Sequence, residues 1–270
     1  MKQPFDVDLL NSRLSSSWLG RKFIHMDQVE STNSYLKKLP GDKLVHGTVL
    51  HTDHQTGGRG QYKRIWHSGP NQNLTFTIAF RPSHADRVPL LTLACAHAVS
   101  EALSGFSNEP VLIKWPNDLI AGGKKLGGIL TECIFLGNKP DRILIGLGLN
   151  IFKEGYEGVS PEQAVCLEEL NDESAELKRE EILAKCLKAI EKAYLQWEKQ
   201  DPQLHNTVSR RLIGYGQWVR IAINGRPEDG RFKFLGVNRE GELTALNEEL
   251  DVNTFKHGQV RILTGNEDVS

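Results

Sequence analysis

The stretch Leu74 to Phe80 alternates strictly, with Leu74, Phe76, Ile78 and Phe80 on one side and Thr75, Thr77 and Ala79 on the other. That is the period of a β-strand. Gly47 to Asp53 and Phe23 to His25 read as further strands, and Ser31 or Thr32 is placed to cap a helix carrying Tyr35, Leu36 and Leu39, which Pro40-Gly41 ends. Pro89 to Leu103 is almost continuously Leu, Ala, Val and Cys, and its length predicts a buried helix. Val111 to Trp115, Leu119 to Ala121, Leu126 to Leu136 and Arg142 to Ile151 are predicted strands, with Gly122-Gly123 as a hairpin turn. In Lys178 to Trp197 the residues Leu183, Leu187, Ile190, Tyr194 and Trp197 recur every three or four positions, which predicts an amphipathic helix. Residues 1–22 offer only Leu9, Leu10, Leu14 and Trp18 as one helical face.

Beyond about residue 212 the texture changes. Trp218–Ile223, Arg231–Val237, Glu242–Leu246 and Gln259–Leu263 read as short strands, with Asn224-Gly225, Asp229-Gly230 and Glu240-Gly241 as turns. The expectation is an α+β unit over residues 1–212 and a small β-barrel over 213–270.

The 270 residues are 39% hydrophobic and 25% charged, enough for a substantial core. Lysine and arginine total 33 against 34 acidic residues. That balance provides no global field for nucleic acid or an acidic membrane, so an anion site must be local. The cysteines, Cys95, Cys133, Cys166 and Cys186, have no C-x-x-C spacing. Neither a disulfide framework nor a structural zinc is expected. The first ten residues lack the basic flank and apolar core of a signal peptide, and no apolar run reaches membrane-spanning length, so a cytoplasmic setting is expected.

Against this plain background the loop from His51 to His67 stands out. Gly57, Gly58 and Gly60 allow backbone N–H groups to face a ligand closely, and Arg59, Lys63 and Arg64 against Asp53 leave a local charge of +2. Arg59 can hold an anion bidentately, and Trp66 can stack on a purine. A solvated hairpin tip is the competing reading, and the loop is not a Walker A motif. Lys114-Trp115-Pro116-Asn117-Asp118 ends one strand and opens another, either as an ordinary turn or as a lysine that must find an anion. Lys125 follows the hairpin turn. Gly127-Gly128, Gly146 and Gly148 interrupt apolar strands, where glycines often mark the approach of a ligand, and Asn150 ends the last strand. His51, His54 and His67 read as surface residues of loops and strands, and no metal site is expected.

In their order these segments resemble those of the biotin protein ligases: S-T-N at Ser31-Thr32-Asn33, Q-x-x-G-R-G from Gln55 to Gly60 with Trp66 closing the loop, K-W-P-N-D from Lys114 to Asp118, K-L-x-G-I-L from Lys125 to Leu130, and G-x-G-x-N from Gly146 to Asn150. The resemblance implies a mixed sheet of the class II aminoacyl-tRNA-synthetase type with flanking helices, followed by an SH3-like barrel. It implies an enzyme that uses ATP and Mg2+ to make biotinyl-5′-AMP and then transfers biotin to a lysine of a biotin carboxyl carrier protein. It assigns Ser31, Thr32 and Gln55 to the biotin ureido ring, with Asn33, Gly128 and Gly146 also on the biotin side. Arg59 and the Gly58 and Gly60 backbone meet the carboxylate and then the adenylate phosphate. Trp66 and Asn150 meet adenine, with Gln61 and Asn117 also on the nucleotide side. Lys125 stabilises charge on the reacting oxygens, Lys114 assists with phosphate, and Asp118 orients the acceptor lysine or takes its proton.

The short N-terminal region favours a single-function ligase without a DNA-binding domain. The resemblance allows a homodimer. Gln61 stands where many relatives have a basic residue, which implies looser retention of the adenylate unless a neutral hydrogen-bonder suffices there. The alternatives are a lipoate–protein ligase, disfavoured by the donors and acceptors at Gln55 and Ser31-Thr32, and a regulatory protein that binds biotinyl-AMP without transferring it. The glycine-rich, charged loop is expected to order on ligand binding.

Overall fold

In the computed structural model, residues 3–156, 163–171, 176–256, 258 and 260–263 are described. The chain runs through α1 (Val7–Arg13), β1 (Phe23–Val29), α2 (Thr32–Lys38), β2 (Thr48–Gln55), β3 (Asn73–Phe80), α3 (Val88–Leu103), β4 (Leu112–Lys114), β5 (Asp118–Ala121), β6 (Lys124–Leu136) and β7 (Lys139–Asn150). It continues through α4 (Leu167–Leu170), α5 (Arg179–Glu198), α6 (Leu204–Ser209), β8 (Trp218–Ile223), β9 (Arg226–Pro227), β10 (Phe232–Val237), β11 (Leu243–Leu246), β12 (Val252–Phe255) and β13 (Val260–Leu263). This is a mixed α+β fold. Among the described residues no helix is long and apolar enough to cross a membrane.

The seven-stranded sheet has the order β1-β2-β3-β7-β6-β5-β4, parallel only between β1 and β2. Every residue of β3 is buried, because both faces of the sheet are covered. Its apolar row, Leu74, Phe76, Ile78 and Phe80, joins the main core with α3 and α5. Ala79 from the opposite row joins a smaller core beneath α2, with Leu36, Leu44, Leu50 and Leu144. Thr75 and Thr77 share that second face, so two hydroxyls are buried at the centre of the sheet. Cys95 and Cys186 are buried in the main core, and burial pushes their thiols up to about 12, so they pack as small apolar groups.

The six-stranded sheet of β8 to β13 curls against the first. β12 and the two-residue β9 were not expected from the sequence, since β12 carries only two apolar residues and is largely open to solvent. Gly241, at φ +84°, brings the β10–β11 turn onto the start of α3, where a Cβ would stand 2.4 Å from the Leu90 nitrogen. The indole of Trp115 donates to the Gly241 carbonyl at 3.4 Å. The Val237 N–H donates to Ser209 Oγ at 3.0 Å, which ties β10 to the end of α6.

The structure corrects the reading of His51 as a surface residue: it is completely buried. The cause is the segment before α1, which lies across the sheet. Phe5 packs on the His51 ring at 4.0 Å between centroids. Arg179 donates to the Gln3 carbonyl at 3.0 Å, and Asp6 N–H donates to Glu180 at 2.8 Å. Arg179 also pairs with buried Asp53 at 2.7 Å. Burial alone would raise the Asp53 carboxyl, but the His25 hydrogen bond and the Arg179 charge outweigh it and hold it at about 2.

Burial, and then the neighbouring Arg179 charge, push His51 well below the ordinary histidine range. Folded His51 is therefore neutral where an unfolded His51 takes up a proton, so its contribution to stability is complete above about pH 6.5 and erodes as pH falls below it. The loss has a limiting slope of about 1.4 kcal/mol per pH unit. Urea unfolding between pH 7.5 and 5 is expected to show a shallower decline for His51→Phe than for the parent chain. Parallel curves would refute this account.

Candidate functional site

A cavity of about 890 Å³ opens on the α2 face of the large sheet and extends to the small one. It collects Ser31, Thr32, Asn33, Gln55, Arg59, Gly60, Gln61, Trp66, Lys114, Asn117, Asp118, Lys125, Gly128 and Gly146 in one wall. Residues up to 115 positions apart thus meet because β2, β3, β7, β6 and β5 lie side by side.

One end of the cavity is a buried polar network. Ser31 caps α2 by accepting from the Ser34 N–H at 3.4 Å, which fixes the first turn of the helix against the sheet. The Thr32 N–H then donates to Gln55 Oε1 at 2.8 Å, with Thr32 Oγ1 3.1 Å from the same oxygen. Thr77 Oγ1 lies 2.7 Å from Thr32 Oγ1 and 2.6 Å from Asn33 Oδ1. Asn33 Nδ2 donates to Glu132 at 2.9 Å and to the Leu130 carbonyl at 3.3 Å. Thr75 Oγ1 is buried without a partner among the described residues, and it lines the same wall.

The other end is cationic. Lys125 Nζ pairs with Asp118 Oδ1 at 2.8 Å, and Lys114 faces the same space. The register of β5 against β6 shifts between Leu119 and Ile120, so that Leu119 opposes Gly127 while Ile120 opposes Lys125. This β-bulge carries an extra residue, Leu126, and re-aims its neighbour. In an unbroken strand Lys125 and Gly128 would point to opposite faces. Here Lys125 Nζ stands 3.5 Å from where a Cβ of Gly128 would be.

The loop between β2 and β3 closes over the wall. Gly60 N–H donates to the Arg64 carbonyl at 2.7 Å, and Trp66 N–H to the Gly58 carbonyl at 3.0 Å. Arg59 is half-exposed, donates to Ser34 Oγ at 2.8 Å and lies 3.5 Å from Glu132. The side chain of Lys63 lies outside the described residues. From the small sheet, Asn224, Gly258 and Arg261 complete the cavity, and a Cβ on Gly258 would meet the Tyr62 hydroxyl at 2.8 Å.

Two expected site residues stand outside the cavity wall. Gly58 is buried behind it: a Cβ there would lie 2.4 Å from the Trp66 carbonyl, so this glycine serves loop closure. Asn150 is buried and its Nδ2 donates to the carbonyls of Val165 at 3.1 Å and Lys125 at 3.4 Å, bracing the strand that holds the lysine. The strand glycines also differ from their expected use. The space beside Gly146 is filled by the Asn33 amide and that beside Gly148 by the Trp66 indole, so the close approach is made by side chains of this chain. The sequence reading missed Thr75, Thr77, Glu132 and the small-sheet residues. Only the threonines left a signal, in the polar row of β3.

The one trio of histidine and acidic side chains close enough to share an ion among the described residues, His25, Asp27 and Asp53, is not part of the cavity wall. Its Asp53 is engaged by the buried Arg179 guanidinium.

Comparison with known proteins places this geometry. Residues 25–150 match the model of the Biotin/lipoate A/B protein ligase family. Biotin--protein ligase 2 of Arabidopsis thaliana is 30% identical over 256 residues, covering 91% of this chain and 75% of that protein. The chain belongs to the biotin protein ligase family. The ligase resembles the Bifunctional ligase/repressor BirA of Bacillus spizizenii at 27% identity over 241 residues, 87% of this chain and 73% of that one. Its fold matches the biotin protein ligase from Aquifex aeolicus in complex with biotin and ATP with a TM-score of 0.74 at 26% identity, over 91% of this chain and all of that one.

Proposed function

We propose that the cavity holds biotin at its Thr32–Gln55 end and ATP at its Lys125–Arg59 end, so that both steps of protein biotinylation run between Gly128 and the loop. The ligase activates biotin with ATP and transfers it to a lysine of a carrier protein. In the first step a biotin carboxylate oxygen attacks the α-phosphorus of ATP, a C–O–P linkage forms and pyrophosphate leaves. In the second the ε-amine of the acceptor lysine attacks the acyl carbon, AMP leaves with the bridging oxygen, and the amine gives up a proton as the amide forms.

The observation that carries this reading is the side-by-side placement of a neutral, buried donor–acceptor network and a fixed cation. A ureido ring needs the first, and the carboxylate–phosphate junction needs the second. A dithiolane would leave the Gln55 amide nitrogen and the Thr75 hydroxyl without a ligand partner, which disfavours lipoate. Lys125 is assigned to the charge that grows on the phosphate and carboxylate oxygens in both steps. Lys114 and Arg59 assist it, with the Gly60 N–H turned into the loop. Trp66, Gln61 and Asn117 frame the nucleotide. Asn150 acts through the Lys125 backbone and Gly58 through the loop, while Ser31, Asn33 and Gly146 build the biotin end.

Asp118 is the one carboxylate in the cavity wall among the described residues, and Lys125 engages it. That donor set suits a Mg2+ ion that arrives on the ATP phosphates and keeps most of its waters, with Asp118 nearby; when bound, the ion neutralises phosphate charge. The acceptor is assigned as a biotin carboxyl carrier protein, in a cytoplasmic setting. We also assign residues 1–212 to the catalytic unit and 213–270 to an SH3-like barrel whose Asn224 and Arg261 form the far wall.

ATP–pyrophosphate exchange tests the first step: exchange is expected with biotin and not with lipoate, and Lys125→Met is expected to lower its rate by about 10²–10³. Exchange with lipoate alone would overturn the substrate. Asp118→Asn separates the steps. If Asp118 serves the acceptor lysine, transfer from preformed biotinyl-AMP to the carrier falls more than adenylate formation does, in single-turnover assays; equal losses would remove that role.

A further inference from the structure

On the reading above, we propose that Tyr62 is a positioning residue: its hydroxyl, seated at Gly258 of the small sheet, holds the loop over the cavity and retains biotinyl-AMP between the two steps.

The loop is closed at its neck by backbone bonds. Gly60 N–H donates to the Arg64 carbonyl at 2.7 Å, and Arg59 bridges to Ile65 across the hairpin. Within the tip the Arg64 N–H turns back on the Gln61 carbonyl at 3.1 Å. These bonds shape the tip but do not tie it to the rest of the molecule. Tyr62 lies at φ 53° and ψ 37°, the left-handed region that an aromatic residue rarely adopts. It is 63% exposed, so burial of its ring does not account for that conformation. What the conformation achieves is a contact across the mouth of the cavity. The Tyr62 hydroxyl lies 2.8 Å from where a Cβ of Gly258 would be, and its Cζ 3.9 Å away. Among the described residues nothing else, apart from the chain neighbours of Gly258, comes within 4 Å of that position. The missing side chain of Gly258 is a seat, and the Tyr62 hydroxyl fills it.

Charge couples this contact to phosphate. Arg64 stands two residues beyond Tyr62, and Arg261 three beyond Gly258. Both line the cavity, and neither has a carboxylate partner among the described residues. Resting the tip on the small sheet brings these two guanidiniums to one mouth, where they repel each other. The adenylate phosphate offsets that repulsion, whereas biotin alone, with its carboxylate at Lys125, brings no charge to this side. The contact therefore bears on the adenylate and little on biotin.

Release of biotinyl-AMP labelled in its adenine is measured by chase with excess unlabelled biotinyl-AMP, and release of labelled biotin in the same way. Tyr62→Phe removes the hydroxyl and keeps the ring, and it is expected to release the adenylate about fivefold faster. Biotin release and the single-turnover rate of adenylate formation are expected to stay within about twofold of the parent, a split that general damage to the cavity would not give. Gly258→Ala puts a methyl group where the hydroxyl sits. It is expected to speed adenylate release in the parent and to add little in Tyr62→Phe, whose Cζ is at ordinary contact distance. The backbone strain of an alanine at φ +88° is common to both backgrounds and cancels in the comparison. Unchanged adenylate release in Tyr62→Phe would overturn the proposal. Equal acceleration of biotin release would do the same, as would a Gly258→Ala effect of equal size in both backgrounds. Formation of biotinyl-AMP from biotin and ATP by the parent chain is the control. Its absence would remove the function and the proposal with it, whereas its presence with release indifferent to Tyr62→Phe counts only against Tyr62.

Discussion

A strand buried on both faces can be polar on one of them only if every buried polar group there is answered. β3 imposes that constraint on this fold. Its apolar row is absorbed by α3 and α5, but Thr75 and Thr77 lie at the middle of the opposite face. An unpaired hydroxyl there costs about 1–3 kcal/mol. The chain answers Thr77 with the first turn of α2, which brings Thr32 and Asn33 down onto the sheet. Gly146 makes that approach possible by leaving its own side empty. It leaves Thr75 to whatever enters the cavity. Stability and recognition are thus parts of one arrangement: the groups that satisfy the sheet also frame the ligand.

The same economy holds at the cationic end. In the proposed reaction one lysine serves the phosphate and the carboxylate oxygen that become bonded in the first step, and in the second that oxygen leaves with AMP as its bond to the acyl carbon breaks, so a single fixed charge would be used twice. Asp118 keeps that lysine in place before substrates arrive, and the Asn150 amide braces its backbone. The small sheet closes the cavity opposite the loop, and Gly241 and Trp115 hold it close.

Much of this was legible in the sequence because it depended on local order. The period of Leu74 to Phe80, the unbroken apolar run of α3, the spacing on α5 and the Gly122-Gly123 turn are properties of neighbouring residues, and each gave its element. The motif residues were legible as chemistry, and fourteen of the sixteen expected site residues line the cavity. Gly58 and Asn150 stand outside the wall, because a glycine or an asparagine beside a cavity can equally serve the backbone behind it. His51 misled because its burial is caused by Phe5, far away in the chain and without any pattern linking the two. Glu132 and the small-sheet residues were invisible for the same reason: their roles exist only once distant strands are adjacent. β12 was missed because its side chains pack little, and its pairing with β11 is made by backbone groups common to all residues.

The bulge at Leu126 gives the segment between Asp118 and Gly128 a parity. With the extra residue, the lysine side chain falls on the same face as Gly128; with one residue fewer or one more in β6, the alternation would carry it to the other side of the sheet, into the apolar core. The number of residues in this hairpin is therefore held more rigidly than their identity. Gly122 and Gly123 have open space around them and are held to glycine only by their left-handed backbone, at φ +55° and +77°, whereas a single insertion or deletion between Lys125 and Gly128 would move the cation by the thickness of a sheet without changing a single residue type in the site.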